Sequence, residues 1–504
     1  MRGTVCIIGG GLGGLFCGAL LAKNGYEVTV LEKNATIGGG LQSFRRHGEL
    51  WDTGMHVIGG MEEGGNIRSI CQYLGIMDEI HIRAVDDCCT DSLYFAEDQR
   101  TYKMARGRGP FVDRLAEYFP EERSGIERYV DAIYKMTDAV DQFNLRPSDG
   151  GIKLFTKSEE FLLAADAFIA QYVSDPHLRS VLAYMNPLYG GRAGQTPAYI
   201  HAIISVLYIN GTSRFVGGSQ HTADLLARVI TDHGGRVERG DAVEWIEVVE
   251  RKVQYVRTSK GREYRADHYI SAIHPCTMLR LMPESALPRS YRNRIDSIPN
   301  AYSAFLLYVK LKPCTFPYIN HSEYYMTRYA DIWKIDNESA SWPLGFLMMT
   351  PPDENQGEWA SKVLVTAPMR WAMVREWEAT KSGHRGSEYA KWKEVQSQLL
   401  IDKIEEMHPG FRDCIELLET ASPLTIRDYY GSKEGTICGF SKDCRNIALS
   451  QVPVVTKISN LLLTGQNNNL HGFCGVPLTA ISTCEAIMGV NELINKINKC
   501  ERKH

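Results

Sequence analysis

Thr4-Val5-Cys6-Ile7-Ile8-Gly9-Gly10-Gly11-Leu12-Gly13-Gly14, followed in the next strand by Glu32, decides the fold. The apolar run over residues 4–8 ends in glycines, as a central parallel strand does. Residues 15–22 carry apolar side chains at helical spacing, and Asn24-Gly25 stops that helix. Residues 26–31 alternate, include β-branched residues and end at Glu32, which completes a βαβ unit. Gly9, Gly11 and Gly14 hold the three defining positions of G-x-G-x-x-G. The first permits a tight turn, the second lets the backbone approach a pyrophosphate, and the third lets the helix pack on the strand. Phosphates then sit at the helix N-terminus, where unpaired N–H groups and the dipole favour anions. Glu32 is placed to accept hydrogen bonds from ribose hydroxyls and to repel a 2′-phosphate. The segment therefore reads as a dinucleotide site in an α/β domain.

Beyond this unit, residues 62–212 read as mostly helical, with amphipathic stretches at 125–143 and 158–172. Residues 217–235 read as loop, helix and stop. Strands are expected around Val243, at 253–257 and at 269–273, and strand composition recurs at 304–309, 344–349 and 363–367. Strands interspersed with long helices predict a second lobe on an antiparallel sheet. Residues 461–464 form one more buried strand, then a glycine-rich segment leads into a helix expected from about Thr479. Cofactor-type segments lie at both ends and in the middle of the chain. We therefore expect discontinuous domains, with residues 1–61, 210–290 and 455–504 binding the cofactor and residues 62–209 and 291–454 the substrate.

The stretch after Glu32 narrows the cofactor. Lys33 is followed by the run Gly38-Gly39-Gly40-Leu41, and the whole of residues 5–40 resembles the extended dinucleotide signature of the FAD-containing amine oxidase and phytoene desaturase superfamily. Trp51-Asp52-Thr53-Gly54-Met55-His56-Val57-Ile58-Gly59 resembles the D-T-G-x-H-x-x-G stretch of the branch containing all-trans-retinol 13,14-reductase (retinol saturase) and carotenoid isomerases. Phe119-Pro120-Glu121-Glu122 and the pattern of Tyr429, Tyr430, Gly435 and Gly439 are similar to the same branch. Gly217-Gly218 through Val243 resembles the superfamily's middle segment, and the run from Ala266 through Ala272 to Pro275 its return strand, with Tyr269 replacing the usual valine. Gly40 stands where many members carry arginine, and Asn467 where many carry aspartate.

The resemblance implies a Rossmann-like, p-hydroxybenzoate-hydroxylase-like FAD domain of the GR2 type, joined to a discontinuous α+β substrate domain. FAD would be bound non-covalently. It implies backbone contact with adenine at Val243 and a wall at Ala272. The loop Gly465-Gln466 would wrap the ribityl and diphosphate, and a helix N-terminus near Gly475, Val476 and Pro477 would face the flavin pyrimidine. A positive dipole there stabilises negative charge on a reduced flavin. The implied activity is hydride transfer between flavin N5 and a polyene C=C carbon, giving saturation, desaturation or isomerisation. His56 and His471 lie in flavin-associated motifs and titrate near neutral pH, so they are proton-donor candidates; Tyr430 is a third candidate in the substrate region. Competing readings are an amine oxidase acting on a small amine, which needs an aromatic cage, and a non-catalytic lipid-binding protein similar to GDP-dissociation inhibitors. A flavin mutase acting on a nucleotide sugar would need clustered basic residues in the substrate lobe, and the linear sequence contains no such cluster.

Composition sets the remaining limits. The net charge of −4 gives no global field for nucleic acid. Thirteen scattered cysteines without C-x-x-C fit a reducing compartment and provide no zinc spacing. No metal ligand set is expected. No run approaches the ~20 apolar residues of a membrane span, and residues 4–8 are a strand and not a signal peptide. The expected location is cytoplasmic, with peripheral membrane contact to reach an apolar substrate. With no second dinucleotide unit, electrons must come from an external donor or go to an external acceptor.

Overall fold

The computed structural model describes residues 2–54, 57–148, 159–335 and 341–501. At its centre lies a five-stranded parallel sheet in the order Arg236–Glu238, Glu27–Leu31, Thr4–Ile8, His268–Ser271, Leu461–Leu463. Thr4–Ile8 is in register with Glu27–Leu31 on one side and His268–Ser271 on the other. Chain order thus runs outward in both directions from the first strand, which makes the crevice at its carboxyl end the topological switch point. Apart from the edge strand Arg236–Glu238, the strands are largely buried on both faces, which explains the apolar runs in Thr4–Ile8 and Leu461–Leu463.

The helix Leu12–Lys23 is buried along almost its whole length, packing against both Gln220–Asp232 and Gly472–Met488. Asn24 caps its C-terminus and Gly25, at φ +85°, reverses the chain into the second strand. Such a positive φ favours glycine.

A seven-stranded sheet forms the second layer, in the order Ile415–Ala421, Ser303–Leu311, Lys362–Met369, Gly345–Met349, Ser322–Met326, Asp91–Phe95, Arg100–Met104. It is antiparallel except where Ser322–Met326 runs parallel to Asp91–Phe95. The hairpin from Asp91 to Met104 is an exception within residues 62–212, which read as mostly helical. Its turn has Gln99 at φ +57° in place of the Asn-Gly or Asp-Gly pair that marks a hairpin in sequence. Among the other described residues of that region helices dominate, led by Arg123–Asp138 and the almost wholly buried Ala198–Asn210, which pack together, with one further short strand at Ile82–Ala84. Phe346, Met348 and Met349 belong to the buried cores.

The last long helix begins at Gly472, earlier than the position near Thr479 read from sequence. Gly475 and Pro477 read locally as loop formers, yet both lie inside the helix. A Cβ on Gly475 would come within 2.3 Å of the Leu470 Cβ, so glycine permits a close pass of the preceding loop. Pro477 removes one intrahelical N–H, and burial of the helix against Leu12–Lys23 offsets that loss.

Candidate functional site

A cavity of about 1240 Å³ opens at the carboxyl ends of the parallel strands. Four of its walls are the residues that end or follow those strands: Gly9, Glu32, Ala272 and Thr464. The volume exceeds the ~300–1,000 Å³ usual for one small ligand, so a dinucleotide leaves room for a second molecule.

Glycine backbone lines the inner pole of the cavity. Gly11, Gly13, Gly39, Gly40 and Gly465 all face it. Gly11 is the N-cap of the first helix, without a side-chain cap and with no acidic residue in the first turn. The first helical bond runs from the Leu15 N–H to the Gly11 carbonyl at 2.9 Å, so the preceding N–H groups have no intrahelical partner. A Cβ on Gly11 would meet only the Gly39 Cα, at 3.8 Å. That is an anion cradle left open by a missing side chain, and it fits a diphosphate. Gly14 answers to packing instead. A Cβ there would lie 2.0 Å from the Gly9 carbonyl oxygen, so its hydrogen lets helix and strand touch.

Glu32 is held by the backbone on both oxygens. Its Oε2 accepts from the Gly10 N–H and its Oε1 from the Asn34 N–H, each at 2.8 Å. Each oxygen keeps a further lone pair beside the cavity that the residue lines. Lys33 lines the cavity and donates from Nζ to the Asp428 carbonyl at 2.7 Å, and Asn34 Nδ2 donates to the Tyr429 carbonyl. Gly38, at φ +113°, donates its N–H to the Gly10 carbonyl at 2.7 Å and so ties the second glycine segment to the first. Leu41 is buried behind it.

Val243, Gln466 and Val476 also line the cavity, whereas Gly14, Gly38, Leu41, Gly475 and Pro477 stand behind its wall. The Gly475 N–H donates to the His471 carbonyl at 3.2 Å, so it lies within the helix's own bonding and is not one of the free N–H groups at the helix N-terminus. The N–H groups left without an intrahelical acceptor are those of residues 471–474. Asn467 uses its Oδ1 to accept from the Phe440 N–H at 3.1 Å and so anchors the loop.

The three proton-donor candidates separate. His56 lies outside the described residues. His471 does not line the cavity; its Nε2 donates to the Leu188 carbonyl at 2.8 Å, and burial lowers its pKa to about 4. A neutral, hydrogen-bonded imidazole of that kind fits a structural role. Tyr430 does line the cavity, and its hydroxyl sits over Gly54, where a Cβ would come within 2.7 Å of it. Burial raises the Tyr430 phenol, with a bond to Thr53 acting in the opposite direction.

Sequence reading missed Tyr308, which lines the cavity beside Phe44 and Trp51 at ring separations of 5.4 and 5.7 Å. It also missed the role of Asp52, whose Oδ1 accepts from the Ser43 Oγ at 2.6 Å and from the Ser219 N–H at 3.0 Å. Asp52 thereby clasps the hairpin of Ser43–Arg46 and Glu49–Asp52 to the loop that starts Gln220–Asp232. The D-T-G motif marks the segment, but nothing local names the partner.

From the glycine pole the cavity runs across the seven-stranded sheet over Ala304, Leu306, Thr366 and Ala421, with Ile426 of the helix Pro423–Tyr430 beside them. Its outer end carries Arg45, Arg46, Arg385 and Lys393, and a single carboxylate, Glu419. Glu419 pairs with Arg46 Nε at 3.0 Å and His47 Nε2 at 2.9 Å. The basic cluster absent from the linear sequence is thus assembled from distant segments.

Residues 12–316 match the family model described as flavin containing amine oxidoreductase. The chain is 25% identical to all-trans-retinol 13,14-reductase of Macaca fascicularis, over 97% of this chain and 86% of that protein. It is 25% identical to prolycopene isomerase 2, chloroplastic, of an Oncidium hybrid cultivar, over 85% of this chain and 74% of that protein. Among solved structures, an oxidoreductase from Methanosarcina mazei superposes with a TM-score of 0.64 at 16% identity, covering 96% of this chain and all of that one. Putrescine oxidase bound to putrescine superposes with a TM-score of 0.64 at 12% identity, covering 96% and 98%. The glycine cradle, the backbone-anchored Glu32 carboxylate and the family match agree: the chain belongs to the flavin-containing amine oxidoreductase family and is an FAD-dependent oxidoreductase.

Proposed function

We propose that this enzyme acts on the carbon–carbon double bonds of a lipophilic polyene, as the names of its retinol reductase and prolycopene isomerase relatives suggest. The observation that carries the reading is the largely apolar extension of the cavity over Ala304, Leu306, Ala421 and Ile426, with Thr366 among them, continuous with the glycine cradle. In this proposal residues 1–61, 210–290 and 455–504 hold FAD, and residues 62–209 and 291–454 supply the substrate side. When bound, the flavin supplies hydride transfer at N5.

The protein's own residues bind and orient. Gly11, Gly39 and Gly465 bring backbone to the diphosphate, and Glu32 holds the ribose. The sheet side chains exclude water around the polyene, which strengthens any electrostatic effect within the site. Tyr430 and Tyr308 place phenol groups in the wall, and Tyr430 is the candidate to hold or deliver a proton at a chain carbon. A small cationic amine fits less well, because the one carboxylate at the outer end is already paired with Arg46. The site is expected to work in the cytoplasm with an external electron donor or acceptor and peripheral membrane contact. Among the described residues no helix is long and apolar enough to cross a membrane.

Anaerobic reduction of the flavin-loaded protein followed by a panel of retinoids, carotenoids and small amines tests the reading. Reoxidation of the flavin spectrum by one conjugated lipid supports saturation, and a cis–trans shift of the lipid without net reoxidation supports isomerisation. Reduction of the oxidised enzyme by an amine alone would overturn the polyene reading.

A further inference from the structure

The outer end of the cavity is built unlike its middle. Apolar walls give way to Arg45 and Arg46 on the strand Ser43–Arg46 and to Arg385 and Lys393 on the N-cap and body of Gly386–Met407. Arg385, Tyr389 and Lys393 are spaced by four residues, so they share one helix face. Arg385 Cζ lies 5.5 Å from the Tyr389 ring centroid and Lys393 Nζ 5.6 Å, so two cations flank one ring. Arg385 pairs with Asp428, and Arg46 pairs with Glu419 through Nε, which leaves the terminal guanidinium N–H groups of Arg46 to meet a further anion. Among the described residues, Lys393 Nζ has no hydrogen bond or ion pair of its own. It is nevertheless only partly exposed. Burial, with Arg46 next in weight, lowers its pKa, and Glu419 only partly offsets this. An ammonium held beside other cations at the end of an apolar channel is stabilised by an anion that arrives with the ligand.

Resting on the polyene reading above, we propose that the substrate carries a terminal carboxylate seated against Lys393 and Arg46, with its apolar chain extending over the sheet toward the glycine cradle. Arginine offers a planar fork to carboxylate oxygens and lysine a point charge. The apolar stretch between this cluster and the cradle suits a hydrocarbon chain and not a sugar. The cluster then sets both specificity and register, fixing which double bond reaches the inner pole.

The test is equilibrium binding of a fluorescent conjugated tetraene fatty acid and of its methyl ester to the flavin-loaded protein, followed by ligand fluorescence and by the flavin absorption band. The acid is expected to bind about tenfold tighter than the ester, the ratio for one charge-assisted contact. Lys393→Met should remove most of that difference and leave ester affinity within about twofold, while Lys393→Arg restores it. Arg46→Gln, which also frees Glu419 to repel the anion, should weaken the acid selectively. Equal binding of acid and ester, or equal weakening of both in K393M, would overturn the proposal while leaving the polyene reading intact. Loss of flavin from K393M would overturn it too, by assigning the cation to the cofactor. So would loss of binding to phosphatidylglycerol vesicles with ligand affinity unchanged. If neither tetraene binds and a small amine alone perturbs the flavin band, the polyene reading itself falls with it.

Discussion

Gly11 and Gly14 belong to one motif but answer to different constraints. Gly11 has open space where a side chain would go, and Gly14 has a carbonyl oxygen 2.0 Å from that position. Gly11→Val is therefore expected to fold with little loss of stability and to purify without flavin, because its side chain fills the diphosphate cradle. Gly14→Ala must push the first helix off its strand, and overpacking of that kind costs about 1–3 kcal/mol or more. Urea midpoints and flavin-to-protein absorbance ratios separate the two effects. A G11V protein that keeps its flavin would place the diphosphate elsewhere. At the same scale, Tyr430→Phe removes a cavity hydroxyl without changing its ring. If that hydroxyl handles the proton, the chemical step should slow by about 10²–10⁴-fold, the usual contribution of a positioned acid, with flavin content unchanged. An unaltered single-turnover rate would return Tyr430 to packing alone.

Secondary elements meet the cavity through a few polar clasps. Lys33 and Asn34 bond the last carbonyls of Pro423–Tyr430, where a cation also complements the helix dipole. Asp52 joins its hairpin to the loop preceding Gln220–Asp232. Removing it leaves the Ser219 N–H and Ser43 hydroxyl without that acceptor, and a hydrogen bond to a charged group contributes about 1.5–3 kcal/mol. Asp52→Ala should accordingly lower the unfolding free energy by on the order of 2 kcal/mol. Asp52→Asn, which keeps an oxygen in place, should recover at least half of that. Equal losses in both variants would mean that charge, and not the acceptor position, holds the hairpin.

For the molecule as a whole, buried histidines set the response to acid. Burial lowers His201 to about 3, and His274 and His471 to about 4, whereas an unfolded histidine titrates near ~6.5. Between those values the unfolded chain binds more protons than the native one, so stability is full above pH ~6.5 and is lost as pH falls toward ~4. Asp91 opposes this, since burial raises its carboxyl to about 6 and its native form keeps a proton that the unfolded chain releases. Burial also lowers His321 and raises the Glu62 and Glu485 carboxyls, so among the described residues four depressed imidazoles stand against three raised carboxyls and the histidines still set the sign. The melting temperature is expected to be flat above neutrality and to decline below about pH 6.5; a rise on acidification would show that the carboxyls dominate.

The parallel strands, the first helix and the glycine cradle were legible in residues 4–40, because turn, cap and phosphate contact are all local requirements written in adjacent residues. Val243, Ala272 and Gly465, expected at the cofactor site through resemblance, line the cavity, because the topology brings the strand ends near them to one crevice. The hairpin at 91–104 was not legible, since its turn lacks a local signature and its pairing partner is Ser322–Met326. Nor was the helix start at Gly472, where burial overrides glycine and proline. Sequence by itself determined the cofactor class, because a dinucleotide is gripped by backbone close to a single turn. Only the tertiary structure decided that His471 turns to the Leu188 carbonyl, that Tyr308 and Tyr430 share the cavity, and that Arg46, Arg385 and Lys393 meet at its outer end. Those facts depend on long-range packing, and no spacing along the chain encodes which distant side chains a folded sheet will bring together.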